Sequence, residues 1–300
     1  MTIMMVEKKS VSRIIFEIVN TLFMIFLMVA CILPVLHVFC ASFSDAAWVL
    51  GKSGVIWHVK GFNVNGYKLV FQNKDILSGY MNTFIYVIAT TALGMFLTVI
   101  TAYAVSRKDA LFSNFIMFFI SFTMLFNGGM IASYIVITKF LGWYDSRLAI
   151  IVPSTLSAFN LILVRTAMTT VPASLEESAM LDGAGRMTVL FKIVLPLIKA
   201  TLATVVLYLV IGQWNSWFSA AIYLRNRAKF PLQLILKEVL ITGDTTTTSV
   251  SASDYAGDTA IYKQLIKYCT IVISTVPIFI FYPFIQKYFE KGVMIGAIKG

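Results

Sequence analysis

The stretch Val171-Pro172-Ala173-Ser174-Leu175-Glu176-Glu177-Ser178-Ala179-Met180-Leu181-Asp182-Gly183-Ala184-Gly185-Arg186, continued through Phe191-Lys192-Ile193-Val194-Leu195-Pro196, is a polar island in an oily chain. Apolar runs long enough to cross a bilayer lie on both sides of it. Adjacent glutamates, an aspartate and a pair of glycines in such a setting belong in water. Pro172 ends whatever precedes it, and Ser174 followed by Glu177 has the capping-box spacing, so a helix is expected to start there. Gly183-Ala184-Gly185 then breaks that helix, and a second short one runs from about Met187. Pro196 stands near the entry to the next apolar run. A helix-turn-helix held against a membrane with a small-residue surface is a docking device, because glycine and alanine let another surface come close.

Composition sets the class. Of 300 residues 59% are hydrophobic and only 13% charged, with a mean hydropathy of +0.84. A soluble domain of that size has no interior large enough to hide so much apolar surface, so the chain reads as an all-α polytopic membrane protein. The net charge of +10 is no nucleic-acid footprint, because Lys and Arg are scattered between apolar runs; loops beside anionic membrane lipid account for it. Cys31, Cys40 and Cys269 lie in or beside apolar runs without a CxxC pair. With His37 and His58 as the chain's histidines, no metal site and no catalytic site is expected.

The apolar runs number six. Residues 1–13 form a short basic segment, and 14–43 is too long for a cleaved signal peptide, so it reads as the first span. An extracytoplasmic connector over 44–78, rich in aromatics, precedes a core over 79–286 that holds five further spans. These are 79–106, 110–138, 148–164, 200–224 and 268–286. The third carries Asn127-Gly128-Gly129 at its middle, which predicts a bend or a close crossing. The segment 225–267 reads as a second polar connector with a mobile Thr-rich piece at 245–249, and 287–300 as a basic tail. Six spans put both termini on one side. Lys8, Lys9 and Arg13 before the first span, with Arg107-Lys108 between the second and third, favour the cytoplasm for that side. Residues 171–196 then lie in the cytoplasm as well.

The polar island resembles the EAA loop of ABC-transporter permeases: Glu177-Ser178-Ala179, three residues, Gly183, nine residues, Ile193, one residue, Leu195-Pro196. Ser178 stands where that family usually has alanine, a small change. The ending from Lys291 through Gly296 to Lys299-Gly300 resembles that of MalG-like and LplC-like permeases of carbohydrate uptake. The resemblance implies a type I ABC importer permease with a MetI-like core, in a bacterial cell membrane. It implies a second, non-identical permease chain, two ATP-binding subunits, an extracellular solute-binding protein, and a sugar or oligosaccharide as cargo. It also implies that Ser174, Leu175, Glu176, Glu177, Ser178, Ala179, Met180, Asp182, Gly183, Ile193 and Pro196 couple to the ATPase, and that Lys291, Gly296, Lys299 and Gly300 reach it from the tail. Lacking a Walker-type GxxxxGK[ST], the chain binds no ATP itself and takes energy from its partners.

For the substrate path, a sugar needs hydrogen-bonding amides and flat aromatic faces. Gln213, Trp214, Asn215 and Trp217 offer both, and Asn127 and Asn160 are further midspan amides. Interhelical hydrogen bonding and an interfacial aromatic anchor are the alternative role for the same residues. A secondary transporter is disfavoured by essentially charge-free spans two to six, and an intramembrane protease by the absence of histidine after His58. A permease for amino acids, phosphate or metal shares the loop and stays open.

Overall fold

The computed structural model describes residues 10–107, 109–241, 264–281 and 283, and these form helices and the turns between them, with no strand. Four of the helices are long and apolar enough to cross a membrane, and two bent pairs bring the described spans to six. The chain divides into two compact units, Met1–Gln72 with Val250–Ile273 and Asn73–Ser249 with Ser274–Gly300.

In the first unit, α1 (Val11–Ser42) is exposed along its apolar length and buries only Cys40, Ala41 and Ser42 at its end. A helix apolar all round and unpacked has lipid as its natural solvent. Its end is covered by a small folded cap. Asp45 starts α2 (Ala46–Gly51) by accepting hydrogen bonds from the Ala47 and Trp48 amides. His37 is a structural acceptor here: its Nδ1 takes the Ile56 amide proton at 3.0 Å. In α3 (Asn65–Gln72), Tyr67 meets the Ser42 hydroxyl at 2.7 Å.

The second unit is built on α4 (Lys74–Ser106), 33 residues without a proline or a break. Its buried positions include Gly79, Thr83, Thr90, Gly94, Thr98 and Ala102, a stripe of small residues at helical spacing. Small side chains bring neighbouring backbones close. A Cβ on Gly94 would lie 2.6 Å from the Thr155 carbonyl oxygen, so glycine is required there.

The third span is broken. α5 (Ser113–Leu125) and α6 (Gly129–Phe140) meet at 114°. The Asn127-Gly128-Gly129 hinge makes the turn with Gly129 at φ 81°, and the Asn127 side chain accepts the Gly129 amide. The fourth span, Leu148–Thr169, contains α7 (Leu148–Ile151), a 3₁₀ turn at Val152–Ser154 holding Pro153, and α8 (Ala158–Thr169). After α9 (Ala173–Leu181), α10 (Arg186–Leu197) bends by 85° into α11 (Lys199–Trp214). The fifth apolar run is thus not one rod over 200–224: α11 stops at Trp214, and α12 (Phe218–Tyr223) follows as a separate turn.

The described beginning of the segment expected as a polar connector, 225–241, also differs, while 242–263 lies outside the described residues. α13 (Leu232–Ile241) buries Leu232, Leu234, Ile235, Leu236 and Val239, and Ile235 fills the space left by the missing side chain of Gly79 on α4. Its charged neighbours are paired rather than free. Arg227 bridges Asp75 at 2.7 Å and Glu238 at 2.8 Å. Asp145 accepts from Lys229 Nζ at 2.8 Å and from the Arg225 and Asn226 amides at 3.0 Å. The Lys229 ammonium and those two amides hold the Asp145 carboxyl down at about 2. α14 (Gln264–Phe281) is the last described helix. The Thr-rich piece at 245–249, residues 284–286 of the sixth run and the tail with Lys291, Gly296, Lys299 and Gly300 lie outside the described residues.

Candidate functional site: an exposed elbow and a polar cavity

The elbow is α9 and the start of α10. Pro172 takes the N-cap position and makes no side-chain cap. Ser174 is thereby carried into the first turn, so the capping box suggested by the Ser174–Glu177 spacing does not form. At the other end the Ala184 amide donates to the Ala179 carbonyl and the Gly183 amide to the Met180 carbonyl. That is a Schellman ending, and Gly183 supplies its left-handed residue at φ 85°. A Cβ on Gly183 or Gly185 meets nothing within 4 Å, so Gly183 answers a backbone demand while its surroundings stay open.

The faces of α9 separate the motif residues. Ser174, Leu175, Glu177, Ser178, Met180, Asp182 and Gly183 are exposed, and Leu181 is 89% exposed. Ala179 and Ile193 are turned inward, half-buried against a core of Val99, Tyr103, Val164, Met168, Val189 and Leu190. Pro196 is exposed at the end of α10. Glu176 is only 6% exposed, and its carboxylate is paired with the Arg107 guanidinium just past α4. That guanidinium also lies over the Tyr103 ring at 4.9 Å. A second, exposed pair joins Arg186 to Asp109 at 2.7 Å and holds the Asp109 carboxyl below its ordinary value.

The cavity, about 400 Å³, opens at the middle of α4. Thr90 of α4, Ser154 and Ser157 at the Pro153 break, Phe159 and Asn160 of α8, and Tyr208, Gly212 and Gln213 of α11 line it, with Ser216 beyond. Asn160 and Gln213 are each 5% exposed. The Thr90 hydroxyl is buried without a hydrogen-bond partner among the described residues. Phe159 and Tyr208 stand 5.9 Å apart, centroid to centroid. No charged side chain is among the lining groups. Such a surface suits a neutral ring bearing hydroxyls.

The other expected path residues go elsewhere. Trp214 is buried: its indole donates to the Ser274 carbonyl at 3.3 Å, and it packs edge-on against Phe84. The Asn215 amide donates to the Ile211 carbonyl of α11, whose end it caps. Trp217 lies under the Lys237 ammonium, 3.2 Å from the ring centroid. Asn127 lines a separate recess of about 270 Å³ with Ser133 and Phe218. Sequence reasoning brought out Asn160 and Gln213 but not Thr90, Ser154, Ser157, Phe159 and Tyr208. Of these, Phe159 and Tyr208 carried a visible signal, as aromatics within spans.

Residues 94–295 match the family described as binding-protein-dependent transport system inner membrane component. The chain belongs to that family. This permease is 36% identical over 278 residues to the polygalacturonan/rhamnogalacturonan transport system permease protein YtcP of Bacillus subtilis (strain 168), covering 93% of this chain and 96% of that protein. It is also 36% identical over 286 residues to Protein LplC of the same organism, covering 95% of each. A solved bacterial ABC transporter involved in the import of the acidic polysaccharide alginate contains a chain of the same fold. It has a TM-score of 0.82 and 32% identity, with 94% of this chain and 99% of that one covered. The permease is therefore a membrane transport component with an ABC importer fold, and not an enzyme.

Proposed function

We propose that this permease is one of two non-identical membrane subunits of an ATP-driven importer, and that its cargo is an oligosaccharide. The observation that carries the cargo is the cavity: two aromatic rings and several uncharged hydrogen-bonding groups within the membrane-spanning unit, with no ionised lining group. Aromatic faces stack on sugar rings, and amides read hydroxyls. Relatives that serve polygalacturonan, rhamnogalacturonan and alginate support a saccharide. A neutral lining means that hydroxyls rather than carboxylates are read at this position.

The exposed face of α9 docks on an ATP-hydrolysing subunit in the cytoplasm, where both termini also lie, and a solute-binding protein delivers the sugar from outside. Leu175, Met180 and Leu181, with Met187 of α10 beyond the turn, give the elbow an apolar centre, and Glu177 and Asp182 give it a charged edge. Uptake by the reconstituted importer, measured with neutral and acidic oligosaccharides, phosphate and amino acids, tests the reading. Saccharide uptake that weakens in Asn160→Ala and Gln213→Ala is the expected result. Transport of a non-sugar solute alone contradicts it.

A further inference from the structure

Two adjacent glutamates begin the motif, yet they face different ways. Glu177 is exposed for docking, whereas Glu176 is buried against Arg107. A buried carboxylate needs a compensating charge, and Arg107 is itself fixed between that carboxylate and the Tyr103 ring. The Tyr103 hydroxyl donates to the Arg186 carbonyl at 3.3 Å, so the same turn of α4 also holds the beginning of α10. The contact is a joint with two solid sides.

α4 differs from most of the other described spans in having no break. The third span bends by 114°, the α10–α11 pair by 85°, and the fourth is interrupted at Pro153. An unbroken helix of 33 residues is about 50 Å long. Its second half, from Thr90 at the cavity to Ser106 beside the joint, spans about 24 Å. One turn from Thr90, Gly94 touches the Thr155 backbone, between the cavity residues Ser154 and Ser157. A backbone-to-backbone contact leaves little slack for a displacement to dissipate.

We infer that the Glu176–Arg107 pair is the joint through which movement of α9 enters α4, and that α4 delivers this movement to the cavity wall at Gly94 and Thr155. Glu176 and Arg107 are positioning residues in this account and touch neither sugar nor ATP. The inference rests on the docking of α9 proposed above.

The test uses the complete importer in proteoliposomes, with the readout being sugar moved per ATP hydrolysed. Glu176→Gln and Arg107→Gln each lower that ratio about tenfold, a typical size for coupling between sites, while the ATPase subunit still co-purifies. The charge-reversed double variant Glu176→Arg with Arg107→Glu recovers most of the ratio, which separates a lost joint from a misfolded chain. An unchanged ratio in both single variants overturns the inference, as does a parallel loss of ATPase binding and uptake without rescue. Ser178→Trp on the exposed face gives the independent arm. If it still binds the ATPase and transports normally, docking itself fails; if it releases the ATPase while Glu176→Gln transports normally, only the joint fails.

Discussion

Two polar segments stand out in this chain, 171–186 and 213–217, and the fold treats them in opposite ways. The first stays together around α9, with Leu175, Glu177, Ser178 and Met180 outward and Glu176 and Ala179 inward. The second is split among unrelated tasks. Gln213 lines the cavity, Trp214 is buried, Asn215 caps the end of α11 and Trp217 carries Lys237. Spacing explains the difference. The first segment was recognised by intervals that a single helix-turn-helix must satisfy together. The second was recognised by composition, and it straddles the end of α11: Gln213 and Trp214 leave the last helical turn in different directions, and Asn215 to Trp217 form the bend before α12.

The largest effect expected from this contrast is at Ser178. Ser178→Trp places a bulky ring on the outer face of α9 and abolishes both ATPase association and uptake, measured by co-purification and transport. Retained association breaks the contrast at its stronger side. Asn160→Ala and Gln213→Ala come next. Each removes about 1 kcal/mol of sugar binding, roughly fivefold in half-saturation, with ATPase association intact. Asn215→Ala leaves half-saturation unchanged, and a loss there as large as at Gln213 would restore segment 213–217 as a single binding element.

Gly183→Ala sharpens the account of the elbow. It forces a side chain into the left-handed conformation at φ 85° and costs about 1 kcal/mol of stability, read from thermal unfolding. Gly185, at φ −72°, tolerates alanine without that cost. Equal effects would show that docking, not backbone geometry, selects both glycines. The smallest effect is at the far end of α4. The Asp145 carboxyl is lowered from 3.8 to about 2, so its contribution to stability is fully present above 3.8 and fades as pH falls towards 2. Unfolding midpoints of wild type and Asp145→Asn differ at pH 6 and converge on acidification, by a margin kept small by exposure.

Much of this was legible in the residues, for identifiable reasons. Charge-free runs marked the spans because a bilayer admits no unpaired charge, and the Gly128-Gly129 pair marked the sharpest bend. α13 was hidden because Arg227, Lys229 and Glu238 make 225–241 look solvated. Their charges are taken up by Asp75, Asp145 and one another, leaving the apolar face of Leu232, Ile235 and Val239 to pack. The cavity was only half visible. Thr90, Ser154 and Ser157 are unremarkable in two separate stretches, and they become a site only when Gly94 brings α4 against the break at Pro153. The joint at Glu176 was hidden because two neighbouring glutamates look alike until burial distinguishes them.

Photo-crosslinking in intact membranes tests the central claim most directly. p-Benzoylphenylalanine replacing Ser178 is predicted to capture the ATPase subunit, and the same probe replacing Phe118 on α5 to capture none. Capture of no ATPase from position 178, or labelling of that position by a reagent confined to the outside of the cell, would contradict the account.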